Sequence, residues 1–225
     1  MQLFLTDFDT KWNNITIKNA EILDQVRKVL RMKIWDRVFV QKENTRFEVK
    51  ITEWDNNTLH GDIIDTIKYN WEKIWKGIAI AMPNKREKIE LIVQKLTEIW
   101  IKNIYFRPSE RSIIRTRNDK KIQRINTISK EALEQSWWRY LPNITFQDNI
   151  SDIIKWKHIV VFDKSENNIV NNQNFPKNTI WIIWPEWWLT QKDYENFWDN
   201  IQIVSLWDTV LRTETASILA WWIIK

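Results

Sequence analysis

Glycine is almost absent from this chain, which has 2 glycines among its 225 residues. Glycine normally makes up about 7% of a protein, which would be roughly 16 residues here. Cysteine is absent altogether, so the chain has neither disulfides nor thiolate metal ligands. The lack of cysteine fits the reducing cytoplasm, and a cytoplasmic location is what we expect.

Long apolar runs are missing as well. The first residues, MQLFLTDFDTK, become acidic within ten positions, so we expect no signal peptide there. No apolar run approaches the roughly 18 residues that a membrane span needs, so we expect no membrane partner. The chain has 44% hydrophobic and 28% charged residues, a balance that is typical of a soluble globular protein.

Several catalytic classes lack the residues that they require. The two histidines, His60 and His158, match no metal-ligand spacing, so no metal site is expected. The chain also lacks a phosphate-binding loop with its lysine and a G-x-S-x-G nucleophile turn. Hydrolases and kinases are therefore without support. The net charge of +5 permits a polyanionic partner such as RNA without requiring one.

Tryptophan is present in excess, with 17 residues. Tryptophan belongs in cores and interfaces, whereas glycine belongs in turns because it adopts positive φ at no steric cost. Many of these tryptophans stand in turn contexts. Trp35, Trp54, Trp198 and Trp207 each precede an aspartate. Trp100 follows the last apolar residue of a predicted helix, where a glycine cap is expected.

These contexts suggest that most tryptophans stand where glycines belong. Our hypothesis is that the gene uses UGA for glycine, whereas the sequence translates UGA as tryptophan. The abundance of Ile, Asn and Lys indicates an AT-rich genome, in which such recoding is plausible. The alternative is a protein truly rich in tryptophan, which uses indole rings to bind sugars or to stack on bases.

The chain divides into two parts by its pattern of predicted elements. Short apolar or alternating runs predict the strands QLFLTDF, NNITIK, DRVFVQ, RFEVKITEW and TLHGDII, with one helix near residues 20–30. Such strands favour a small barrel over residues 1–71. Residues 72–225 alternate the strands IAIAM, NIYF, HIVVF, TIWIIW and QIVSL with helices over residues 84–99, 118–136, from Thr190, and over 213–223. This alternation predicts a largely parallel sheet, and the fold class is α/β.

Two segments of the second part carry the chemistry. Residues 182–190 read IIWPEWWLT, and residues 205–216 read SLWDTVLRTETA; each links a strand to a helix. With glycine for tryptophan they become IIGPEGGLT and SLGDTVLRTETA. Glycines at such turns let backbone N–H groups approach a bound ligand closely.

These segments resemble the ribosomal RNA small-subunit methyltransferase E family of the knotted SPOUT superfamily. The family's motifs are I-G-P-E-G-G and L-G-x-x-(V/I)-L-R-x-E-T-A. Other segments agree in order: residues 28–36 with KVLR and WD, residues 87–100 with QK and TE, ERS at 110–112, and EQS at 134–136 through Pro142. The resemblance covers nearly the whole chain. One departure is Asp24-Gln25, where a histidine is expected shortly before V-L-R.

The resemblance implies both a fold and a reaction. The fold is a small N-terminal PUA-like β-barrel that binds RNA, over residues 1–71, and a C-terminal trefoil-knotted α/β (SPOUT) domain, over residues 72–225. The reaction is the S-adenosyl-L-methionine-dependent methylation of a uridine N3 in 16S rRNA of the small ribosomal subunit, by a homodimer. The alternatives are a related SPOUT methyltransferase that acts on another RNA, such as tRNA, or a non-catalytic protein that binds RNA or carbohydrate.

By the same likeness, the cofactor lies against the two motif segments, chiefly through backbone groups and apolar contacts. The residues assigned to it are Ile183, Trp184, Pro185, Glu186, Trp187, Trp188, Leu206, Trp207, Leu211, Arg212, Thr213, Thr215 and Ala216. If indoles are physically present in these loops, they add bulk where close backbone approach is needed.

Arg212 and Glu214 are the candidate catalytic residues. The N3 proton of uracil must be lost as the new bond forms, so a base or an electrostatic stabiliser is needed. Arg212 would hold an RNA phosphate or stabilise the uracil anion, or would simply brace the helix entry. Glu214 would be the base, although a carboxylate in a first helical turn also stabilises the helix itself. Glu166 and Glu186 are weaker candidates.

RNA contacts are assigned to Arg31, Arg111, Ser112 and Arg139 by the resemblance. A basic run also offers a path for phosphates, or a solvated charged face; it comprises Arg107, Arg111, Arg115, Arg117, Lys120, Lys121 and Arg124.

Overall fold

Two six-stranded sheets organise the chain in its computed structural model, which has a mixed α/β fold. The structure describes residues 2–70, 77–107, 119–147, 154, 157–163, 175–176, 178–183 and 201–224. Two compact units result, the first formed by Met1–Glu72 with Leu133–Tyr140 and the second by Lys73–Ala132 with Leu141–Lys225. Residues 133–140, which the sequence placed in the second part, join the first unit because Leu133 packs with Leu3 and Phe39.

The sheet of the first unit is mostly antiparallel. It contains β1 (Leu3–Leu5), β2 (Asp9–Lys11), β3 (Asn14–Ile17), β4 (Arg37–Lys42), β5 (Thr45–Trp54) and β6 (Leu59–Lys68), in the order β1-β4-β5-β6-β3-β2. Only the β1–β4 pair is parallel among these neighbours. The five predicted strands are confirmed. Strand β2 was missed because its three residues, DTK, are exposed and include no apolar side chain.

One short helix covers the core of the first unit. It begins as α1 (Ala20–Asp24) and continues as a π-helical turn, Gln25–Val29, which agrees with the helix predicted near residues 20–30. The Asn19 side chain caps it by accepting hydrogen bonds from the N–H groups of Glu21 and Ile22.

The sheet of the second unit is entirely parallel across its described pairs. It contains β7 (Gly77–Ala81), β8 (Asn103–Arg107), β9 (Asn143–Phe146), β10 (His158–Phe162), β11 (Thr179–Ile183) and β12 (Ile201–Val204), in the order β12-β10-β11-β7-β8-β9. Every residue of the central strands β7 and β11 is buried, which explains their unbroken apolar sequences. The predicted parallel sheet is confirmed; only the partly exposed edge strand β9 was missed.

Three longer helices accompany the sheets. These are α2 (Arg86–Glu98), α3 (Asp119–Ser136) and α4 (Thr213–Ile224), each within two residues of its predicted bounds. Helix α4 contacts α2, β7 and β11. The helix predicted from Thr190 lies outside the described residues. In the described part of the chain, no helix has the length and apolar character needed to cross a membrane.

Tryptophan dominates the left-handed backbone positions. Of the six described non-glycine residues with positive φ, four are Trp12 (φ 57°), Trp35 (81°), Trp100 (75°) and Trp137 (58°). Trp12 is the first of two residues that link β2 to β3, where a type II′ hairpin turn normally has glycine. These angles support the hypothesis that glycine belongs at such positions.

Candidate functional site

The order of the parallel strands reverses between β7 and β11. Strands β7, β8 and β9 extend the sheet to one side, whereas β11, β10 and β12 extend it to the other. Ligands of open parallel sheets bind outside the carboxyl ends of the strands at such a reversal. The sheet topology therefore locates a candidate site beside Ile183, at the end of β11, and Met82, directly after β7.

An apolar wall occupies this edge of the sheet. Ile183 and Ala216 belong to the core cluster of the second unit, together with Met82 and Phe162. Leu206 and Leu211 are partly buried and pack against the same cluster. Four of the residues predicted to contact a cofactor are therefore part of this cluster or pack against it: Ile183, Leu206, Leu211 and Ala216.

The loop between β12 and α4 is held by hydrogen bonds. The Ser205 hydroxyl donates to the Trp207 carbonyl at 2.9 Å, while the Trp207 side chain is 55% exposed. The Arg212 carbonyl accepts from the Ala216 N–H at 2.8 Å, which closes the first turn of α4. Thr213 is buried, whereas the side chains of Arg212 and Thr215 are exposed.

Of the other motif segment, residues 182–183 end β11, and residues 184–190 lie outside the described residues. Trp184, Pro185, Glu186, Trp187 and Trp188 lie outside the described residues, as does Glu166.

Glu214, in the first turn of α4, forms an ion pair with a lysine of α2. Its Oε2 lies 3.4 Å from Nζ of Lys88 on α2. The two side chains are only 12% and 24% exposed, so this ion pair is largely shielded from water. Sequence reasoning missed Lys88, because the two residues are distant in the chain and only the packing of α2 on α4 brings them together.

The predicted basic run divides in the structure. Arg107, which the sequence offered as a phosphate contact or as part of a solvated face, is the last residue of β8 and is only 8% exposed, so the solvated face is wrong for this residue. Lys120, Lys121 and Arg124 are exposed on α3, where Arg124 Nη2 lies 3.6 Å from Glu90 Oε2. The remaining members, Arg111, Arg115 and Arg117, lie outside the described residues, as does Ser112.

The two remaining predicted RNA contacts are both exposed in the first unit. Arg31 follows the π-helical turn in a left-handed conformation, with φ 51°. The Arg139 guanidinium lies 5.4 Å from the centre of the Tyr69 ring and 5.9 Å from that of Trp138. Arg139 is therefore stacked on aromatic rings.

A buried arginine that the sequence did not single out holds the segment around Arg139. Arg46 Nη2 donates to the carbonyls of Trp137 and Trp138 at 3.2 and 2.7 Å, and Nε donates to Gln41 Oε1 at 3.0 Å. Gln41 Nε2 in turn donates to the Arg139 carbonyl at 2.7 Å. Burial lowers the pKa of Arg46, and the positive charge of Arg139 adds to this. The only sequence signal is an arginine at an inward-facing position of a strand.

Metal-binding residues do not cluster in the described part of the chain, where no group of three or more His, Asp or Glu is arranged to hold an ion. Both ring nitrogens of His60 are hydrogen-bonded to threonines. Thr16 Oγ1 lies 3.0 Å from Nδ1, and Thr58 Oγ1 lies 3.1 Å from Nε2. This histidine is structural.

Comparison with known sequences points to one family. The family model of the RNA methyltransferase domain matches residues 72–225. A relative from Bacillus subtilis, named ribosomal RNA small subunit methyltransferase E, is 28% identical over 224 residues, covering 89% of this chain and 86% of its own. A relative of the same name from Rickettsia conorii is 27% identical over 220 residues, covering 92% and 88%.

Comparison with solved structures agrees on the fold. The crystal structure of a ribosomal RNA small subunit methyltransferase E from Neisseria gonorrhoeae, bound to S-adenosyl methionine, matches with a TM-score of 0.81. The match covers 98% of this chain and 95% of that chain at 18% sequence identity. At this identity the likeness establishes the fold of both units.

Proposed function

The chain belongs to the RNA methyltransferase domain family, and from that membership we propose that it methylates N3 of a uridine in 16S rRNA with S-adenosyl-L-methionine. The observation that carries the proposal is that Ile183, which ends β11 at the strand-order reversal, shares a core cluster with Ala216, against which Leu206 and Leu211 also pack. These residues belong to the two segments that resemble the family's motifs. The names of the Bacillus and Rickettsia relatives support the RNA substrate, and the ligand of the Neisseria protein supports the cofactor.

The described residues fit such a cofactor. Leu206 and Leu211 are partly buried and pack against the core cluster, so their remaining exposed parts offer an apolar surface for an adenine ring. The loop that joins them is fixed by the Ser205 hydrogen bond and by the first turn of α4. S-adenosylmethionine supplies an electrophilic methyl group when bound.

Arg212 is the candidate that acts on the RNA. Arg212 is exposed and directly follows Leu211, and its carbonyl accepts a hydrogen bond from the Ala216 N–H. A cation at this place would hold a phosphate of the RNA or stabilise negative charge on uracil as the N3 proton leaves. Glu214, the other candidate, is held by Lys88.

Finer features of the fold and assembly belong to the same proposal. We propose that the first unit is a PUA-like barrel that binds RNA through Arg31 and Arg139, and that the second unit has the trefoil knot of SPOUT enzymes. We also propose that two chains form a homodimer and act in the cytoplasm. The mostly antiparallel first sheet supports the barrel, and the parallel second sheet supports the SPOUT domain. Light scattering in solution tests the dimer, and a monomer would contradict it.

We further propose that the natural protein has glycine at most of the 17 tryptophan positions. Four left-handed tryptophans support this, and so does the scarcity of glycine. The intact mass of the protein from its native organism tests the proposal, because each replaced indole lowers the mass by a known amount. An unshifted mass would contradict it.

A methylation assay tests the function. The chain is incubated with radiolabelled S-adenosylmethionine and small ribosomal subunits isolated from a strain that lacks this modification. We expect label in 16S rRNA at N3 of one uridine, and little label in tRNA. Label confined to tRNA would favour a related enzyme with another substrate, and binding of RNA without any transfer would favour a non-catalytic protein.

A further inference from the structure

One ion pair joins α2 to the segment that follows the candidate cofactor loop. It consists of Lys88 Nζ and Glu214 Oε2, 3.4 Å apart. With side-chain exposures of 24% for Lys88 and 12% for Glu214, the pair is largely shielded from water. Arg86, another cation of α2, pairs instead with Glu90 of its own helix.

The neighbours of the pair are packed apolar residues. Ile89, next to Lys88, belongs to the same core cluster as Ala216 and Ala220 of α4. The charges therefore lie at the rim of the contact between α2 and α4. A shielded pair interacts more strongly than an exposed one, because less water screens the attraction.

Glu214 lies in the first turn of α4, two residues after Arg212. That turn is internally rigid, since the Ala216 N–H donates to the Arg212 carbonyl and the Ser217 hydroxyl donates to the Thr213 carbonyl. An interaction that fixes Glu214 therefore also restricts the positions of Arg212 and of Leu211, at the end of the loop.

We propose that Lys88 is a positioning residue: by holding Glu214, it fixes the start of α4 and so the placement of Leu211 and Arg212 in the active site. The inference rests on the proposed function, which places the cofactor against this loop. It assigns Glu214 a different role from the one expected from the sequence. The Glu214 carboxylate orients the loop and does not take the N3 proton.

Single substitutions test the dependence of the site on the pair. In Lys88→Met and Glu214→Gln, we expect the Kd for S-adenosylmethionine to rise about tenfold, because small displacements of binding groups weaken a site strongly. Lys88→Arg keeps the positive charge and is expected to bind within about threefold of the parent. Arg86→Met is the matched control, because it removes a cation of α2 that pairs within its own helix. Titration calorimetry gives the affinities, and thermal melts confirm that each variant is folded.

A charge swap separates positioning from base catalysis. Lys88→Glu combined with Glu214→Lys restores the pair but leaves residue 214 without a carboxylate. We expect the swap to recover most of the cofactor affinity and most of kcat. A swap that binds the cofactor but does not transfer methyl groups would show that Glu214 is the base, and would overturn the proposal.

The remaining outcomes are also decisive. The proposal is wrong if the single variants bind normally, if Lys88→Arg is as weak as Lys88→Met, or if a folded swap restores neither affinity nor kcat. The parent for all variants is the chain that methylates small subunits, with tryptophan or glycine at residues 184, 187, 188 and 207. A parent without any methylation contradicts the proposed function, whereas an active parent with unaffected variants contradicts this inference alone.

Discussion

At the scale of the residue, Trp100 has a backbone conformation that favours glycine, although it carries the largest of the side chains. The Trp100 N–H donates to the Thr97 carbonyl at 3.2 Å, and the Ile101 N–H donates to the Leu96 carbonyl at 2.9 Å. These two bonds form a Schellman motif, whose left-handed residue is usually glycine. Trp100 takes this position with φ 75° and leaves its indole 48% exposed. The left-handed backbone of Trp100 is therefore strained, and the half-exposed indole buries too little apolar surface to offset that strain.

Trp100→Gly is therefore expected to stabilise the protein. A left-handed conformation is unfavourable by about 1–2 kcal/mol for a residue with a Cβ, so the gain should be about 1 kcal/mol after the loss of partial packing. Urea unfolding measures the change. Trp207→Gly is the control, because Trp207 is similarly exposed at 55% but does not have positive φ. Equal effects of the two substitutions would contradict the explanation.

Asp55 gives a second prediction for a single residue, this time in acid. Its Oδ1 accepts hydrogen bonds from the N–H groups of Asn57 and Thr58, both at 2.7 Å. The bond from Asn57, followed by those from Thr58, lowers the pKa of Asp55 below its ordinary value of 3.8. A carboxyl group with a lowered pKa in the folded state stabilises the fold above its unfolded pKa, and this stabilisation is lost as the pH falls through the folded pKa.

Asp55→Asn keeps the accepting oxygen but cannot be protonated in this range. We expect the melting temperature of the parent to fall more steeply below pH 3.8 than that of the variant. Thermal melts between about pH 6 and pH 2.5 measure the difference. Parallel curves for the parent and Asp55→Asn would refute the role of the turn.

At the scale of the element, the end of α3 is attached to the first sheet by side chains. Arg46 and Gln41 project from β5 and β4 and bind the carbonyls of residues 137–139, which α3 leaves without helical partners. The Leu5 N–H also donates to Glu134 Oε1 at 2.6 Å. These contacts explain why residues 133–140 belong to the first unit.

Arg46→Met should loosen this attachment. The variant keeps much of the aliphatic volume but leaves the carbonyls of Trp137 and Trp138 without their donor, so we expect a loss of about 2–3 kcal/mol in the free energy of unfolding. Arg37→Met removes an exposed arginine of the same sheet that pairs with Glu48 at 2.9 Å. That control should lose about 0.5 kcal/mol or less. Urea titrations compare the two, and similar losses would argue against the attachment.

At the scale of the whole molecule, the tryptophans of the two motif segments determine whether the chain can bind the proposed cofactor. Trp207 lies in the loop that the proposed cofactor contacts, and three more tryptophans occupy the other motif segment. An indole at these places adds bulk where the backbone must approach the ligand.

The chain with glycine at residues 184, 187, 188 and 207 should therefore bind S-adenosylmethionine more tightly than the chain with tryptophan there. Titration calorimetry on both chains measures the affinities. Trp12→Gly, in a hairpin of the first unit, should leave the affinity unchanged. Equal affinities in the two chains would mean that indoles at these positions do not obstruct the site.

The sequence by itself determined the class of fold and the family. Hydrophobic periodicity predicted the helices and ten of the described strands. Buried apolar residues recur at a fixed spacing along a helix or along a strand with one buried face, and they are continuous in a strand that is buried on both faces. The motif segments pointed to the family through residues that are adjacent in sequence, and Trp100 was predicted at a glycine cap because capping is local. The exposed β2 and the edge strand β9 escaped prediction because they bury little apolar surface.

Only the tertiary structure decided which distant side chains meet. The Lys88–Glu214 pair, the buried Arg46 and the membership of residues 133–140 in the first unit depend on contacts between elements far apart in the chain. Burial of Arg107 likewise follows from the position of β8 in the sheet and not from its neighbours in sequence. Local sequence patterns reflect interactions between residues that are close in the chain. The partners of a charged side chain are fixed only when distant elements pack around it.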